Sequence, residues 1–136
     1  HGGRTPTQFP ELKGPNSFDE SLVPTDIGNP EARYLRDIEL AYILKKMVDK
    51  GLVVTLVLDS CHSGGMNRGD ATERGIDGID PTLRPKQSLV ASNEELVKVW
   101  QSLTIPQTRN LTLGNGWLPE PKGYVLLAAC RPHESA

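Results

Sequence analysis

The chain has 136 residues, of which 37% are hydrophobic and 24% charged, and its formal net charge is −2 at pH 7. This length suits one domain with its own core, and so small a charge gives no reason to expect nucleic acid or an anionic membrane as a partner. No apolar stretch approaches the roughly 20 residues of a membrane span, and the first residues match neither a signal nor a transit peptide. We therefore expect a cytoplasmic protein without a membrane partner.

The first half of the chain changes character near residue 31. Residues 1–30 are rich in proline and glycine without sustained apolar periodicity, which predicts a long loop. Residues 31–51 instead predict an amphipathic helix, with Asp37 as its N-cap and Gly51 at its end. The spacing i, i+3, i+4, i+7, i+8 of one apolar stripe carries this prediction, and it comprises Leu40, Ile43, Leu44, Met47 and Val48.

Two unbroken apolar runs, at residues 52–58 and 124–129, predict strands buried on both faces, as in a parallel sheet covered by helices. Residues 66–122 form a long excursion between them. That excursion begins with a basic loop over residues 66–88 and holds a second predicted helix at residues 93–103. Helix, buried strand, excursion and buried strand make an α/β pattern, and we interpret residues 1–136 as part of one domain.

The run VVTLVLDSCHSGG, residues 53–65, ends its predicted strand in a cluster of reactive side chains. In open parallel sheets, catalytic groups collect beyond the carboxyl ends of the strands, which is where Asp59, Cys61 and His62 fall. A cysteine at a strand end is also a common small buried residue. Position alone leaves the structural and the nucleophilic interpretation of Cys61 equally open.

Two other chemistries fit the cysteine poorly. A phosphatase loop needs five residues between cysteine and arginine, and Arg68 lies one residue too far. A zinc site would have to combine adjacent ligands that point to opposite faces with no ligand pair at the usual spacing; its members would be Cys61, His62, Cys130 and His133. A thiolate nucleophile that works with a histidine from elsewhere in the fold is the remaining sharp alternative.

Five segments, in the right order over nearly the whole chain, resemble the caspase-like cysteine peptidases of the metacaspase type. They are HGG at 1–3, DESLVPTDI at 19–27, RDIEL at 36–40, VTLVLDSCHSGG at 54–65 and LLAACRPHESA at 126–136. The resemblance implies a caspase-like three-layer α/β fold, in which helices flank a mostly parallel sheet. It also implies that the chain is a fragment of the catalytic domain, so that the sheet is incomplete here.

The resemblance implies a role for each matched residue. His1 and Cys61 correspond to the catalytic dyad, and the backbone N–H groups of Gly2 and Cys61 to the oxyanion site. Asp59 corresponds to the substrate pocket, where an acid pairs with arginine or lysine, so the expected partners are protein or peptide substrates cut after these residues. His62 is set aside as the base, because neighbouring residues leaving a strand point to opposite faces.

Many metacaspases need calcium, and the corresponding acids here are Asp26 and Asp37. Arginines stand at the other two corresponding places, Arg36 and Arg68. Since calcium takes several oxygen ligands, two arginines oppose it, and we expect no strong calcium site and no required cofactor. The altered positions and the incomplete domain leave a second class of function open, an inactive caspase-like adaptor or interaction module.

Overall fold

The computed structural model describes residues 2–58, 82–104, 118 and 123–128. Strands β1 (Gly2–Pro6), β2 (Phe18–Leu22) and β3 (Leu35–Arg36) form an antiparallel sheet in that order, and β4 (Val54–Leu58) and β5 (Tyr124–Ala128) form a separate parallel pair. No helix within these ranges is long and apolar enough to cross a membrane. The elements in chain order are β1 (Gly2–Pro6), α1 (Pro10–Lys13), β2 (Phe18–Leu22), β3 (Leu35–Arg36), α2 (Asp37–Asp49), β4 (Val54–Leu58), α3 (Asn93–Thr104) and β5 (Tyr124–Ala128).

The β1–β2 hairpin stands where the sequence predicts a loop. Every second residue of each strand is buried, as a strand with one inward face requires. The four buried residues are glycine or polar, and they are Gly3, Thr5, Asp19 and Ser21. A strand whose buried face is polar lacks the apolar alternation by which a sequence reveals it. The loop prediction is therefore wrong at residues 2–6, 10–13 and 18–22. Cross-strand pairing rather than local pattern makes the two strands.

The connection between β1 and β2 is ordered by one buried aromatic side chain and one short helix. Phe9 is 3% exposed and belongs to the same apolar cluster as Ile38 of α2 and Leu96 of α3. Pro10 then starts α1, where a missing N–H costs nothing, and Gly14 leaves the helix at a φ of 95°. The connection is thereby held against both longer helices.

Helix α2 ends where the sequence predicts but begins with a different cap. Arg36, not Asp37, occupies the N-cap, and its N–H donates to Glu39 Oε2 at 2.8 Å. Asp37 is the first helical residue. Gly51 follows the helix at a φ of 76°, which a glycine adopts without steric cost. On the predicted stripe, Leu40 and Leu44 are buried and Met47 is 39% exposed.

β4 and β5 pair in parallel, as their apolar runs predict. The register goes from Val54 opposite Tyr124 to Leu58 opposite Ala128. Burial on both faces is wrong for the described strands. Leu56 and Leu58 face the core with α2, whereas Val57 is 65% exposed and Val125 54% exposed. The helices described here pack on one face only, so alternate residues stay outside.

The fold is mixed α/β, as predicted, and its sheets are small. The described strands make two separate sheets rather than one mostly parallel sheet. Helix α3 packs on α2 and completes the apolar cluster of Phe9 and Ile38 through Leu96, which is 0% exposed. Asn93–Thr104 matches the predicted helix at residues 93–103 to within one residue.

Candidate active site

The predicted catalytic and substrate-binding residues lie close in sequence to the ends of described strands. His1, Asp59 and Cys61 lie outside the described residues. Gly2, the predicted oxyanion residue, begins β1 and pairs with Leu22 of β2. Leu58 ends β4 one position before Asp59 in the sequence. The structure thus describes the elements that precede or follow the predicted dyad in the sequence.

These two elements share one apolar core. Leu58 is 9% exposed and belongs to a buried cluster with Leu40 and Leu44 of α2. Leu22, the register partner of Gly2, packs against the same cluster. The β1–β2 hairpin and the carboxyl end of β4 are therefore positioned by common contacts with α2.

Close packing explains why the second glycine of the HGG motif, Gly3, has no side chain. A Cβ built on Gly3 would lie 2.8 Å from Val23 Cγ2 and 3.8 Å from Tyr34 Cε1. A carbon atom that close is below ordinary contact distance, so something would have to move. Glycine at position 3 permits the close approach of β1 to the chain that follows β2.

Asp19 is the most enclosed carboxylate of the described structure, with 0% of its side chain exposed. Oδ1 accepts from the Thr7 hydroxyl at 2.8 Å and from Lys13 Nζ at 2.9 Å. Oδ2 accepts from the Gln8 backbone N–H at 3.2 Å, and Arg36 Nε lies 3.3 Å from the same oxygen. A buried carboxylate is stable only with such partners, so Asp19 organises the connection between β1 and β2.

Asp37 meets the same lysine. Lys13 Nζ donates to Asp37 Oδ1 at 2.7 Å and to Oδ2 at 2.6 Å, and Asp37 Oδ1 also accepts from the Ile38 N–H at 2.8 Å. Burial raises the pKa of Asp37 from 3.8 to about 6, and the charge of Lys13 opposes that rise. The carboxylate therefore keeps its charge at neutral pH with the help of the ammonium group.

The contacts of Asp26 and Asp37 do not fit the calcium site that the resemblance implies. Both oxygens of Asp37 are held by Lys13, and Arg36 Nε lies 3.3 Å from Asp19 Oδ2. Asp26 is exposed, in a turn that its own carbonyl closes by accepting from the Asn29 N–H at 2.8 Å. The described residues contain no group of three or more side chains suited to hold a metal ion.

The turn that contains Asp26 is tied to a distant segment by Arg84. The Arg84 guanidinium donates to the carbonyls of Ile27 at 2.8 Å, Asn29 at 2.9 Å and Ala32 at 3.0 Å. It also lies 5.2 Å from the centre of the Tyr34 ring. Arg84 thus holds the chain before α3 against the turn between β2 and β3.

Sequence reasoning missed Lys13 and Asp19 and described Arg84 only as part of a basic loop. No motif contains Lys13, and Asp19 sits within a polar stretch without apolar periodicity. A signal was nevertheless present in Asp19, since an acid three residues before the LVP segment falls on the inward face once residues 18–22 are read as a strand. Lys13, the common partner of Asp19 and Asp37, lies 6 residues from Asp19 and 24 residues from Asp37 in the sequence.

Comparison with known proteins finds metacaspases of Arabidopsis thaliana. Metacaspase-7 is 34% identical over 94 residues, which cover 69% of this chain and 21% of the relative. Metacaspase-8 is 32% identical over 66 residues, or 48% of this chain and 16% of the relative. Metacaspase-6 is 31% identical over 94 residues, or 65% and 24%.

The chain spans about a fifth of the length of these curated relatives. No family model matches it, and no solved structure matches it significantly. The resemblance drawn from the five motifs is confirmed by these sequence similarities.

Proposed function

Because the chain is a metacaspase-type sequence, we propose that it forms part of a cysteine endopeptidase that hydrolyses peptide bonds after arginine or lysine. One observation carries the proposal: the 34% identity to metacaspase-7 over 94 residues. The motif DSCHSGG, which begins directly after β4, supplies a nucleophile in a position that suits it. The substrates are proteins or peptides.

In the proposed reaction, His1 accepts the proton of the Cys61 thiol, and the thiolate attacks the carbonyl carbon of the scissile bond. The carbonyl π electrons move to oxygen and produce a tetrahedral oxyanion. Backbone N–H groups of Gly2 and Cys61 donate to that oxygen. Stabilisation of the oxyanion lowers the barrier because its charge develops only in the transition state.

The intermediate collapses when protonated His1 gives its proton to the leaving amine and the carbon–nitrogen bond breaks. A thioester between Cys61 and the substrate acyl group remains. His1 then accepts a proton from water, whose oxygen attacks the thioester, and the Cys61 sulfur leaves as a thiolate and takes the proton back from His1. The carboxylic acid product and the free thiol restore the starting state.

Asp59 is proposed to set the specificity. It lies two residues before the nucleophile, where an acid attracts a cationic substrate side chain and repels aspartate. An arginine guanidinium can pair with both carboxylate oxygens, and a lysine ammonium forms the weaker point contact. The acidic identity of residue 59 therefore supports cleavage after arginine above lysine and excludes cleavage after aspartate.

Two features of the fold support this arrangement. β4 and β5 run parallel, so their carboxyl ends lie at one edge of the pair, and Asp59 and Cys61 follow β4 in the sequence. The hairpin that begins at Gly2 packs, through Leu22, on the apolar cluster that contains Leu58. Both observations concern the strands that adjoin His1 and Cys61 in the sequence.

The test uses the full-length protein that contains this chain. Fluorogenic peptides ending in arginine, lysine or aspartate are assayed with wild type and Cys61→Ala, across pH, with calcium or chelator. His1→Ala is compared with His62→Ala, a matched control that removes the histidine adjoining the nucleophile. The alkylation rate of Cys61 by iodoacetamide, read by peptide mass spectrometry, reports thiolate content independently of turnover.

We expect activity on arginine and lysine peptides that Cys61→Ala abolishes and that His1→Ala reduces by roughly 100-fold or more. His1→Ala should also slow alkylation of Cys61 at neutral pH, whereas His62→Ala should preserve both measurements. If wild type and Cys61→Ala are equally silent under every condition, the peptidase proposal fails and the adaptor alternative replaces it.

A further inference from the structure

The ammonium group of Lys13 lies between two buried carboxylates. Its Nζ is 2.9 Å from Asp19 Oδ1 and 2.7 and 2.6 Å from the two oxygens of Asp37. Only 12% of the Lys13 side chain is exposed, beside 0% for Asp19 and 5% for Asp37. An ammonium has three N–H donors, and these three contacts can use all of them with little exposure to solvent.

The same ammonium also faces an aromatic ring. Lys13 Nζ is 4.9 Å from the centre of the Trp100 ring, within the range of a cation–π interaction. Lys13 belongs to α1, Asp19 to β2, Asp37 to α2 and Trp100 to α3. One cation thus joins four elements that are separated along the chain.

The charges of the cluster balance. Asp19 and Asp37 supply two negative charges, Lys13 supplies one positive charge, and Arg36, whose Nε is 3.3 Å from Asp19 Oδ2, supplies the second. Two neighbouring buried carboxylates repel each other unless a cation neutralises them. In calcium-binding proteins the metal does this, with carboxylate and carbonyl oxygens as ligands.

The backbone oxygens around Asp26 are also taken by a basic side chain. The carbonyls of Ile27, Asn29 and Ala32 accept from the Arg84 guanidinium at 2.8 to 3.0 Å. Backbone carbonyls are the other kind of oxygen that calcium prefers. Near both acids that correspond to calcium ligands, this chain therefore places a basic side chain of its own.

We propose that Lys13 is the built-in cation of the Asp19–Asp37 pair, and that it orders the fold around the β1–β2 hairpin without the calcium ion that the resemblance to metacaspases implies. Because Lys13 is covalently part of the chain, its neutralisation of the two carboxylates does not depend on the calcium concentration in solution. The inference concerns folding and is independent of the proposed peptidase activity.

Lys13 also fastens the start of the β1–β2 hairpin. It lies in the connection between β1 and β2, and β1 begins directly after His1. The contacts of Lys13 with Asp37 and Trp100 hold this connection against α2 and α3. Loss of the ammonium should therefore loosen the hairpin that starts at Gly2.

The experiment measures thermal unfolding of the full-length protein at neutral pH, in excess EDTA and in millimolar calcium chloride. The variant Lys13→Met keeps most of the apolar stem and removes the charge. Lys45→Met is the matched control, since Lys45 forms an exposed ion pair with Asp49 at 2.8 Å, with side chains 32% and 50% exposed. The double variant Lys13→Met with Asp37→Asn removes one carboxylate together with the cation.

We expect the same melting temperature for wild type in EDTA and in calcium. Lys13→Met should melt lower by about 10 °C, because it leaves buried carboxylates short of a cation, and Lys45→Met by about 2 °C or less. The double variant should recover part of the loss. These four results together support Lys13 as the cation.

Two results would overturn the proposal: a wild-type melting temperature that falls in EDTA and returns with calcium, or a loss in Lys13→Met no larger than in Lys45→Met. If Lys13→Met does not fold, calcium titration calorimetry of wild type decides. Absence of binding heat supports the built-in cation, and stoichiometric binding that Asp37→Asn removes contradicts it. Peptidase activity enters neither readout, so failure here is separate from failure of the proposed function.

Discussion

Lys13 Nζ lies 2.6 Å from Asp37 Oδ2, and this contact joins the last residue of α1 to the first residue of α2. The two residues are 24 positions apart in the sequence. The contact fastens the connection between β1 and β2 to the N-terminal end of the longest described helix. Changes at either residue should therefore be transmitted to the hairpin that follows His1.

The stability of the protein should depend on the protonation of Asp37. Burial raises the pKa of this carboxyl from 3.8 to about 6, so between these values the folded state binds more protons than the unfolded state. The stabilisation that comes from the protonated Asp37 carboxyl is therefore complete below about pH 4 and is lost as the pH rises through about 6. The loss amounts to up to roughly 3 kcal/mol.

Urea unfolding of wild type and Asp37→Asn across this pH range measures the effect. The free energy of unfolding of wild type, taken relative to that of Asp37→Asn, should decrease as the pH rises, because only wild type carries the ionisation. A difference that is constant or increases with pH would contradict the raised pKa.

Gly3→Ala should destabilise the protein by about 1–3 kcal/mol, because the new Cβ would lie 2.8 Å from Val23 Cγ2 and force a shift. Gly28→Ala is the matched control, since a Cβ at that position meets nothing within 4 Å. The free energies of unfolding of the two variants are compared by urea denaturation. Equal losses in the two would mean that β1 does not need this close approach.

Arg84→Ala should cost about 1–3 kcal/mol, because the carbonyls of Ile27, Asn29 and Ala32 lose a charged donor. Arg84→Lys should recover little of this, since an ammonium lacks the planar fork that reaches several acceptors. Lys86→Ala, at an exposed position two residues on, serves as the control and should change the free energy by less than about 0.5 kcal/mol. Indistinguishable urea unfolding curves for Arg84→Ala and Lys86→Ala would show that the guanidinium does not hold the turn.

Asp59→Asn should lower kcat/KM for arginine-ended peptides by roughly 100-fold, because the substrate cation would lose its charged partner in the pocket. Asp26→Asn, which removes an exposed acid, should leave kcat/KM nearly unchanged. The measurement is the ratio of kcat/KM for arginine-ended and uncharged peptides in each variant. If this ratio survives in Asp59→Asn, another group determines the specificity.

Several elements could be predicted because their signal is local. The stripe through Leu40 and Leu44 predicts α2, and the apolar runs predict β4, β5 and their parallel pairing. Gly51 follows the end of α2 as expected, because glycine adopts a positive φ without the steric cost that a Cβ would bring. The assignment of His1, Asp59 and Cys61 depends on motifs and their order in the chain, and it stays a prediction.

The sequence by itself determined the elements whose periodic apolar residues lie within one short window, together with the family that the motifs indicate. Tertiary structure decided the β1–β2 hairpin, whose buried positions include Thr5, Asp19 and Ser21 and so give no apolar pattern. It also decided the partner of Asp37, because Lys13 reaches that carboxylate only after α1 has packed beside α2. The physical reason is the same in both cases: polar groups become buried only when distant segments meet, and their hydrogen bonds and charges are then satisfied by neighbours that the local sequence does not reveal.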